Sequence, residues 1–569
     1  MNKIFYTIVA AVAMLFVGCA SDEIIEGRYL ASEHLQTTLY QFDSERKAMV
    51  PHSVCVRGEY LQAVVNRTKE VGDERFVEVV VGEERLYVFE SQLVASHRDV
   101  VAEKQVFVRT PASIISNTET SAISGHAEKG VKLEVIGYDS IDSKTGEVNR
   151  YKVRHGKAEG YVFGKYTVFT KEEAEKRYMA EKYDPVHSAI KNPFGGGRAI
   201  GCDFYPTRRV QFADNKMPES CYSLYLNISP SVLGNIESYI AFARRTKINT
   251  FVIDIKDNEC PGYKAEAMRI YSPTNYARAG AQKEKMYERA VRRLHEEGFY
   301  VVGRITCFKD SYLVKDHPEV AITEKSTGKP FKHNKAYWPS AYDRKVWQFN
   351  VELAKEAVRK FGFNEINFDY VRFPDRMTKV ENLIDYHNRY NESKVQAIQR
   401  FVQYACDEIH AVGAYVSIDV FGEAANPGYT TAYGQYWPAI SNIADAICGM
   451  PYPDHFSNGY YGIKKPWNHP YEILYAWGQR VQDRQKVTPT PAVVRTWVQA
   501  YNVMRHVDRN GIAYDAENVE KEIRGLFDAG LTGGYTTWLS SSNLEKYEKQ
   551  EGAFCRDYYR EWKRKQSAK

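Results

Sequence analysis

FNEINFDYVRFPD, residues 363–375, decides how this chain is read. An apolar, β-prone run carries Asn367 and Asp369 in its interior and breaks at Pro374. Alternate residues of a strand face one way, so Asn367 and Asp369 share a face. Burying an unpaired carboxylate is costly, so Asp369 needs a partner or a task. At the C-terminal end of a barrel strand it would face the region where barrel enzymes do their chemistry.

From residue 222 onward, runs of this kind alternate with helical patterns. Strands are predicted at 223–229, 249–257, 300–308, 365–373, 415–422, 444–452, 490–497 and 533–539. Apolar residues recur at helical spacing between them, as in 285–297, 343–361 and 393–412. Eight strand–helix units across 222–548 predict an α/β domain, a (β/α)8 TIM barrel, with a doubly wound open sheet as second choice. No GxGxxG follows a strand, so the signature of nucleotide binding is missing. The connections 258–279 and 309–341 are too long for plain loops and are read as lids or walls at the strands' C-terminal ends.

The chain ahead of the barrel is β-rich and repeats itself. VVVG at 79–82 followed by YVF at 87–89 has the spacing of VRHG at 153–156 followed by YVF at 161–163. Two small all-β domains are therefore expected, at 27–96 and 101–169. The second resembles a bacterial SH3-like domain through VRTPAS (108–113), KGVKLEVIGYD (129–139) and YKVRHGKAEGYVFGKY (151–166); the first is a more diverged copy. That resemblance implies contact with cell-wall peptide or glycan; a spacer is the alternative. The charged run at 171–183, then Pro185, Pro193 and three glycines at 195–197, mark 170–221 as a linker. Residues 549–569 form a charged tail.

The N-terminus reads as a processing signal. Lys3 is followed by an apolar run over 4–17, shorter than the ~20 residues needed to span a bilayer. FVGC at 16–19 resembles a bacterial lipobox, which implies a lipid on Cys19 and a polar spacer beginning ASDE. The expectation is a lipoprotein of the cell envelope, outside the cytoplasm, held on an outer membrane or surface. A length of 569 residues predicts two to four domains, and 44% hydrophobic with 26% charged is globular. A net charge of +5 without a basic stripe argues against nucleic acid as partner. The 42 Tyr and 8 Trp suit sugar-stacking clefts and ordinary cores alike. No CxxC pair occurs, so zinc is not expected, nor any other metal or cofactor. Cys202 and Cys221 have the one spacing that suggests a disulfide; buried free thiols are the alternative.

Polar residues recur at the expected strand ends: Asp254 and Lys256 on the second, Arg304 on the third, and Asn367, Asp369 and then Arg372 on the fourth. Asp419 and Glu423 follow on the fifth, Tyr452 and His455 on the sixth, Arg495 and Trp497 on the seventh, and Trp538 on the eighth. Parity places Asp254 with Lys256, and Asp419 with Glu423, on shared faces. Paired carboxylates on neighbouring strands are what glycoside hydrolysis needs, one as nucleophile or base and one as proton donor. A nearby cation favours one ionised carboxylate, with Arg372 the neighbour in sequence, and burial keeps the other protonated. The remaining polar and aromatic residues would bind the sugar. No HExxH, nucleophile elbow or P-loop competes.

These segments also resemble a bacterial glycoside hydrolase family of TIM barrels with α-amylase-like relatives. INTFVIDIKD (248–257), the long run 337–374 that ends in NFDYVRFP, DVFG (419–422), MPYPDHF (450–456) and RTWVQ (495–499) carry the match, which covers 223–543. Asp454 stands where the family has Ser, Gly449 where it has Pro, and Thr496 where it has Pro. The resemblance implies a glycosidase with Asp369 as nucleophile and Asp419 or Glu423 as acid: Asp419 matches the family motif, Glu423 the residue type of the α-amylase relatives. The alternative is a carbohydrate- or cell-wall-binding lipoprotein that does not cleave.

Overall fold

The computed structural model describes residues 23–32, 35–178, 199–258, 260–426 and 432–568. The signal segment and Cys19 lie outside the described residues. By compactness the chain divides into two units: one of residues 1–107 with 132–170, the other of 108–131 with 171–569.

The first unit is antiparallel β-structure. One seven-stranded sheet runs in the order Ala48–Val56, Gln36–Asp43, Glu84–Phe89, Glu74–Val81, Tyr60–Val71, Ile25–Leu30, Leu93–Val94. Leu39, Leu61, Val79 and Val88 fill its core. In the second sheet Lys132–Tyr138 pairs with Arg150–His155, which forms a hairpin with Ala158–Phe163. The sequence repeat is a structural one: each copy is a hairpin turning on a left-handed glycine, Gly82 (φ 63°) or Gly156 (φ 57°), followed by a 3-10 turn and a two-residue strand.

The second unit contains the barrel. Its strands are β1 (Cys221–Leu226), β2 (Thr250–Asp257), β3 (Tyr300–Thr306), β4 (Glu365–Asp369), β5 (Tyr415–Phe421) and β6 (Ala446–Met450). β7 is in two pieces, Val493–Val494 and Thr496–Gln499, and β8 is Gly534–Trp538. All pair in parallel in this order. The circle closes because the first piece of β7 pairs with β6, the second with β8, and β8 with β1. Between the strands lie α1 (Ile236–Arg244), α2 (Ala281–Glu296), α3 (Arg344–Phe361), α4 (Lys394–His410), α5 (Trp437–Ser441), α6 (Pro470–Lys486) and α7 (Ala516–Asp528); α8 (Tyr558–Ser567) follows β8. The expected (β/α)8 barrel is the observed fold.

Local chemistry explains the boundaries. Asp343 caps α3 by accepting from the Lys345 amide, and Gly362 ends it at φ 74°. Ser393 and Gln396 form a capping box at the start of α4. β4 stops at Asp369, four residues short of the expected end, because Tyr370 turns the chain in a left-handed conformation (φ 52°).

Along the strands, alternation separates two environments. Ile366 and Phe368 of β4, and Val416, Ile418 and Val420 of β5, pack outward against the helices. Tyr225, Val252, Tyr300, Val302 and Cys448 fill the interior. Residues 199–218 close the barrel's N-terminal end. Asn215 donates to the Asn364 and Gly413 carbonyls at 2.8 and 2.9 Å, just ahead of β4 and β5. Val210, Phe212 and Met217 pack against the interior cluster. The hairpin Ala112–Asn117 and Ala122–Ala127 belongs to this unit too. At its tip Ser121 Oγ donates to buried Glu408 of α4 at 2.6 Å, and Lys355 of α3 donates to the same Ser121 and Glu408.

The eight described cysteines are free thiols, Cys202 and Cys221 among them, so the suggested disulfide is not formed. Among the described residues no helix is long and apolar enough to cross a membrane.

Candidate active site

Three inward residues of β4 stand one above another, two positions apart: Glu365, Asn367 and Asp369. Glu365, lowest, is enclosed by Arg495 at 2.6 Å and the Tyr300 hydroxyl at 3.0 Å. Asn367, in the middle, donates to Asp419 Oδ1 of β5 at 2.9 Å. Asp369, at the C-terminal end, lines a cleft of about 240 Å³ over the barrel axis.

Arg304 of β3 organises this end. Its Nη1 donates to Asp254 Oδ1 of β2 at 2.6 Å and to Asp257 at 3.2 Å, and its Nη2 to Asp369 Oδ2 at 2.5 Å. Its Nε lies 3.9 Å from Asp419 Oδ2, too far for a hydrogen bond. One buried cation thus serves several carboxylates. Asp254 also accepts from the Tyr225 hydroxyl. Even so, burial, with the nearby Asp257 adding to it, pushes its carboxyl up to about 7 against the pull of Arg304.

Asp419 has a different surrounding. Its Oδ1 accepts from Asn367 Nδ2 and, at 2.8 Å, from the Trp497 indole N–H; both donors are neutral. Its Oδ2 is buried and has no hydrogen-bond partner among the described residues. Burial first, and then the neighbouring Asp369, raise its carboxyl well above the usual carboxylate range. A proton on Oδ2 with Oδ1 as carbonyl acceptor satisfies all of these contacts.

The cleft brings together Asp369, Asp419, Arg304, Arg372, Tyr452, His455, Trp497 and Trp538 of the expected set. Asp254 and Asn367 stand behind this lining and orient it. Four expectations are changed by local geometry. A bulge between Asp254 and Lys256 aligns Lys256 with outward-facing Ile305, and its ammonium is buried on Asp310 at 2.9 Å, away from the cleft. Arg495 stands in the lowest layer with Glu365. Arg372 is not the cation of Asp369: beyond the Tyr370 turn it bonds Asp375 at 3.3 Å and lies over the Phe421 ring. Glu423 lines a neighbouring chamber, not the cleft, and accepts from the buried Tyr433 hydroxyl. Asp257, Asn258, Tyr370, Phe421 and Met450 complete the lining. Asn258 and Tyr370 are both left-handed non-glycines at strand ends, a conformation that clusters at functional sites and leaves no mark in composition. Among the described residues no group of three or more His, Cys, Asp or Glu is placed to hold a metal ion.

The family model described as "putative glycosyl hydrolase domain" matches residues 223–544, from β1 to the end of the loop after β8. The chain belongs to this family. Membership makes the barrel a glycosidase domain, and the cleft described above lies wholly within the matched residues. A hypothetical protein of known structure from Ruminiclostridium thermocellum is 30% identical over 35% of this chain and 97% of its own, with a TM-score of 0.30. The glycoside hydrolase domain of PgaB (BpsB) from Bordetella bronchiseptica is 11% identical, covering 60% and 99% of the two chains with a TM-score of 0.40. A class V chitinase from Pseudomonas fluorescens is 13% identical over 59% and 99%, with a TM-score of 0.36. A search of the curated proteins finds no match to the chain.

Proposed function

We propose that this glycosidase domain cleaves its glycan with Asp419 as proton donor and Asp369 as the ionised partner. The observation that carries the reading is their unequal electrostatic setting. Asp369 is ion-paired with Arg304 at 2.5 Å, while Asp419 is buried among neutral donors with its carboxyl held toward the protonated form. Glycoside hydrolysis requires that inequality. Asp419 Oδ2 gives its proton to the leaving oxygen as the glycosidic bond breaks, and Asp369 attacks the anomeric carbon or draws the proton from an attacking water. Trp497, Trp538 and Tyr452 line the cleft and would supply aromatic contact to the sugar.

The test is release of reducing ends from a panel of bacterial, plant and host glycans by the purified full chain. Asp369→Asn is expected to lower the rate by about 10²–10⁴-fold or more, with the tryptophan-detected unfolding transition retained. Wild-type activity in that variant would sink the assignment. We also propose that Cys19 carries a lipid that tethers the enzyme to an envelope membrane, and that the N-terminal β-domains are SH3-like and contact the cell wall. Membrane pelleting that survives Cys19→Ala would refute the tether, and failure of the full-length Cys19→Ala protein to sediment with purified cell walls would refute the contact.

A further inference from the structure

A second chamber adjoins the cleft over the barrel axis. The inner cleft measures about 240 Å³ and the outer chamber about 700 Å³, nearly three times as much. Both are lined by Phe421, Met450 and His455, so the two lie side by side. Described residues within 374–381, 421–423, 432–433 and 450–460 line the outer chamber.

The inner cleft alone places a bond beside Asp369 and Asp419. A substrate of one or two sugar units would leave the outer chamber unused. Its lining suits more than water. Phe456 and Tyr460 meet with ring centroids 5.0 Å apart and present an aromatic wall. Asp375, Lys379 and Glu423 add charged groups able to bond hydroxyl or amide substituents. Aromatic faces with a few polar groups between them are what a pyranose ring, apolar on its faces and polar at its edge, requires. The junction is built firmly: His455 Nδ1 is 2.9 Å from Asp454, whose side chain is fully buried and also accepts from the Tyr501 hydroxyl at 2.7 Å.

We infer that the outer chamber binds the remainder of a glycan chain whose scissile bond lies in the inner cleft, so that the substrate is a long oligosaccharide or polymer. This rests on the glycosidase reading above. It also gives Glu423 a place: it belongs to the chain-binding wall, and proton donation falls to Asp419.

The experiment separates binding from turnover. Full-length Asp369→Asn protein is titrated calorimetrically with size-graded oligosaccharides from chitin, chitosan, starch and polygalacturonate. In at least one series, affinity is expected to rise with length beyond the disaccharide by about tenfold. Adding Tyr460→Ala should erase most of that rise, so that the ratio of long-chain to disaccharide affinity falls by a similar factor. Tyr460→Phe, which keeps the ring, should retain it and guards against a folding defect. Affinity independent of length, equal weakening of short and long ligands, or no binding in any series would each overturn the inference. Wild-type turnover of the same sugars is followed separately. Length-dependent binding without turnover would leave the groove standing and defeat the hydrolytic roles; turnover without length dependence would do the reverse.

Discussion

Replacing Asp254 by Asn probes the charge balance around Arg304 without altering the two carboxylates assigned to the reaction. In the folded protein, burial pushes the Asp254 carboxyl up to about 7, whereas in an unfolded chain an Asp titrates near ~3.9. Between those values the native state holds a proton that the unfolded state has released. Stability therefore falls as pH rises through the window from ~4 to about 7 and is level above it. At ~1.36 kcal/mol per unit, the wild type loses about 3 kcal/mol at this residue between about pH 5 and about pH 8. The Asn variant has no such proton. Its unfolding free energy minus that of the wild type should thus rise by about 3 kcal/mol over the same interval. Losses that do not depend on pH, such as weakened bonds from Arg304 and Tyr225, cancel in this comparison. Urea unfolding followed by tryptophan emission is the assay, because all eight tryptophans lie between 338 and 562 and report on the barrel. A difference that stays constant or shrinks toward high pH would refute the account of Asp254 as a carboxyl raised by burial.

Other expectations follow from single contacts. Trp497→Phe removes one donor from Asp419 Oδ1; a hydrogen bond favours the charged acceptor over the neutral one by about 1 kcal/mol, so the alkaline limb of kcat/KM should move up by up to about one pH unit, and a downward move would contradict Asp419 as the acid. Lys355→Met removes the ammonium paired with buried Glu408 and should cost about 3–5 kcal/mol in the same unfolding assay; a cost below about 1 kcal/mol would show that the other contacts of Glu408 suffice. Gly449→Ala would bring a methyl within 2.5 Å of the Trp477 ring, which is fixed by its bond to the Gly422 carbonyl; a loss of about 1–3 kcal/mol is expected, and a neutral effect would mean that the ring can move.

Much of the barrel could be read from period and parity. All eight strands overlap the runs predicted for them, and the helical stretches 285–297, 343–361 and 393–412 are helices, because each strand presents one face to the helices and the other to the interior; β4 ends early and β7 is split. The site was legible where parity held: Asn367 and Asp369 do share a face, and Asp419 does face them. It failed where the backbone departs from regularity. Nothing in FVIDIKD marks the bulge that turns Lys256 outward, and nothing in FDYVRF marks the left-handed Tyr370 that takes Arg372 away from Asp369. The role of Tyr225 as a donor to Asp254 was also hidden, since a tyrosine in an apolar run reads as core. Gly449 departs from the family's proline, and the Trp477 ring against it explains why no larger residue fits there.

The proposed division of roles between the two carboxylates rests on strand order. Arg304 is on β3, whose hydrogen-bonded neighbours are β2 and β4. Strands are ~4.8 Å apart, so a guanidinium rising from β3 reaches carboxylates on the adjacent strands with its two terminal nitrogens, and it bonds Asp254 and Asp369. Asp419 is on β5, one strand farther, and meets only Nε at 3.9 Å. What lies beside it instead is Asn367 of β4 and Trp497 of β7, donors without charge. Two aspartates of the same chemistry, buried at the same end of the same barrel, are thereby made unequal by a single cation one strand nearer to one of them. The inequality is fixed by the backbone, not by a mobile side chain on the rim, so it exists before any substrate arrives. In the proposed reaction, a site preorganised in this way would need no rearrangement of its own charges when the leaving oxygen takes its proton.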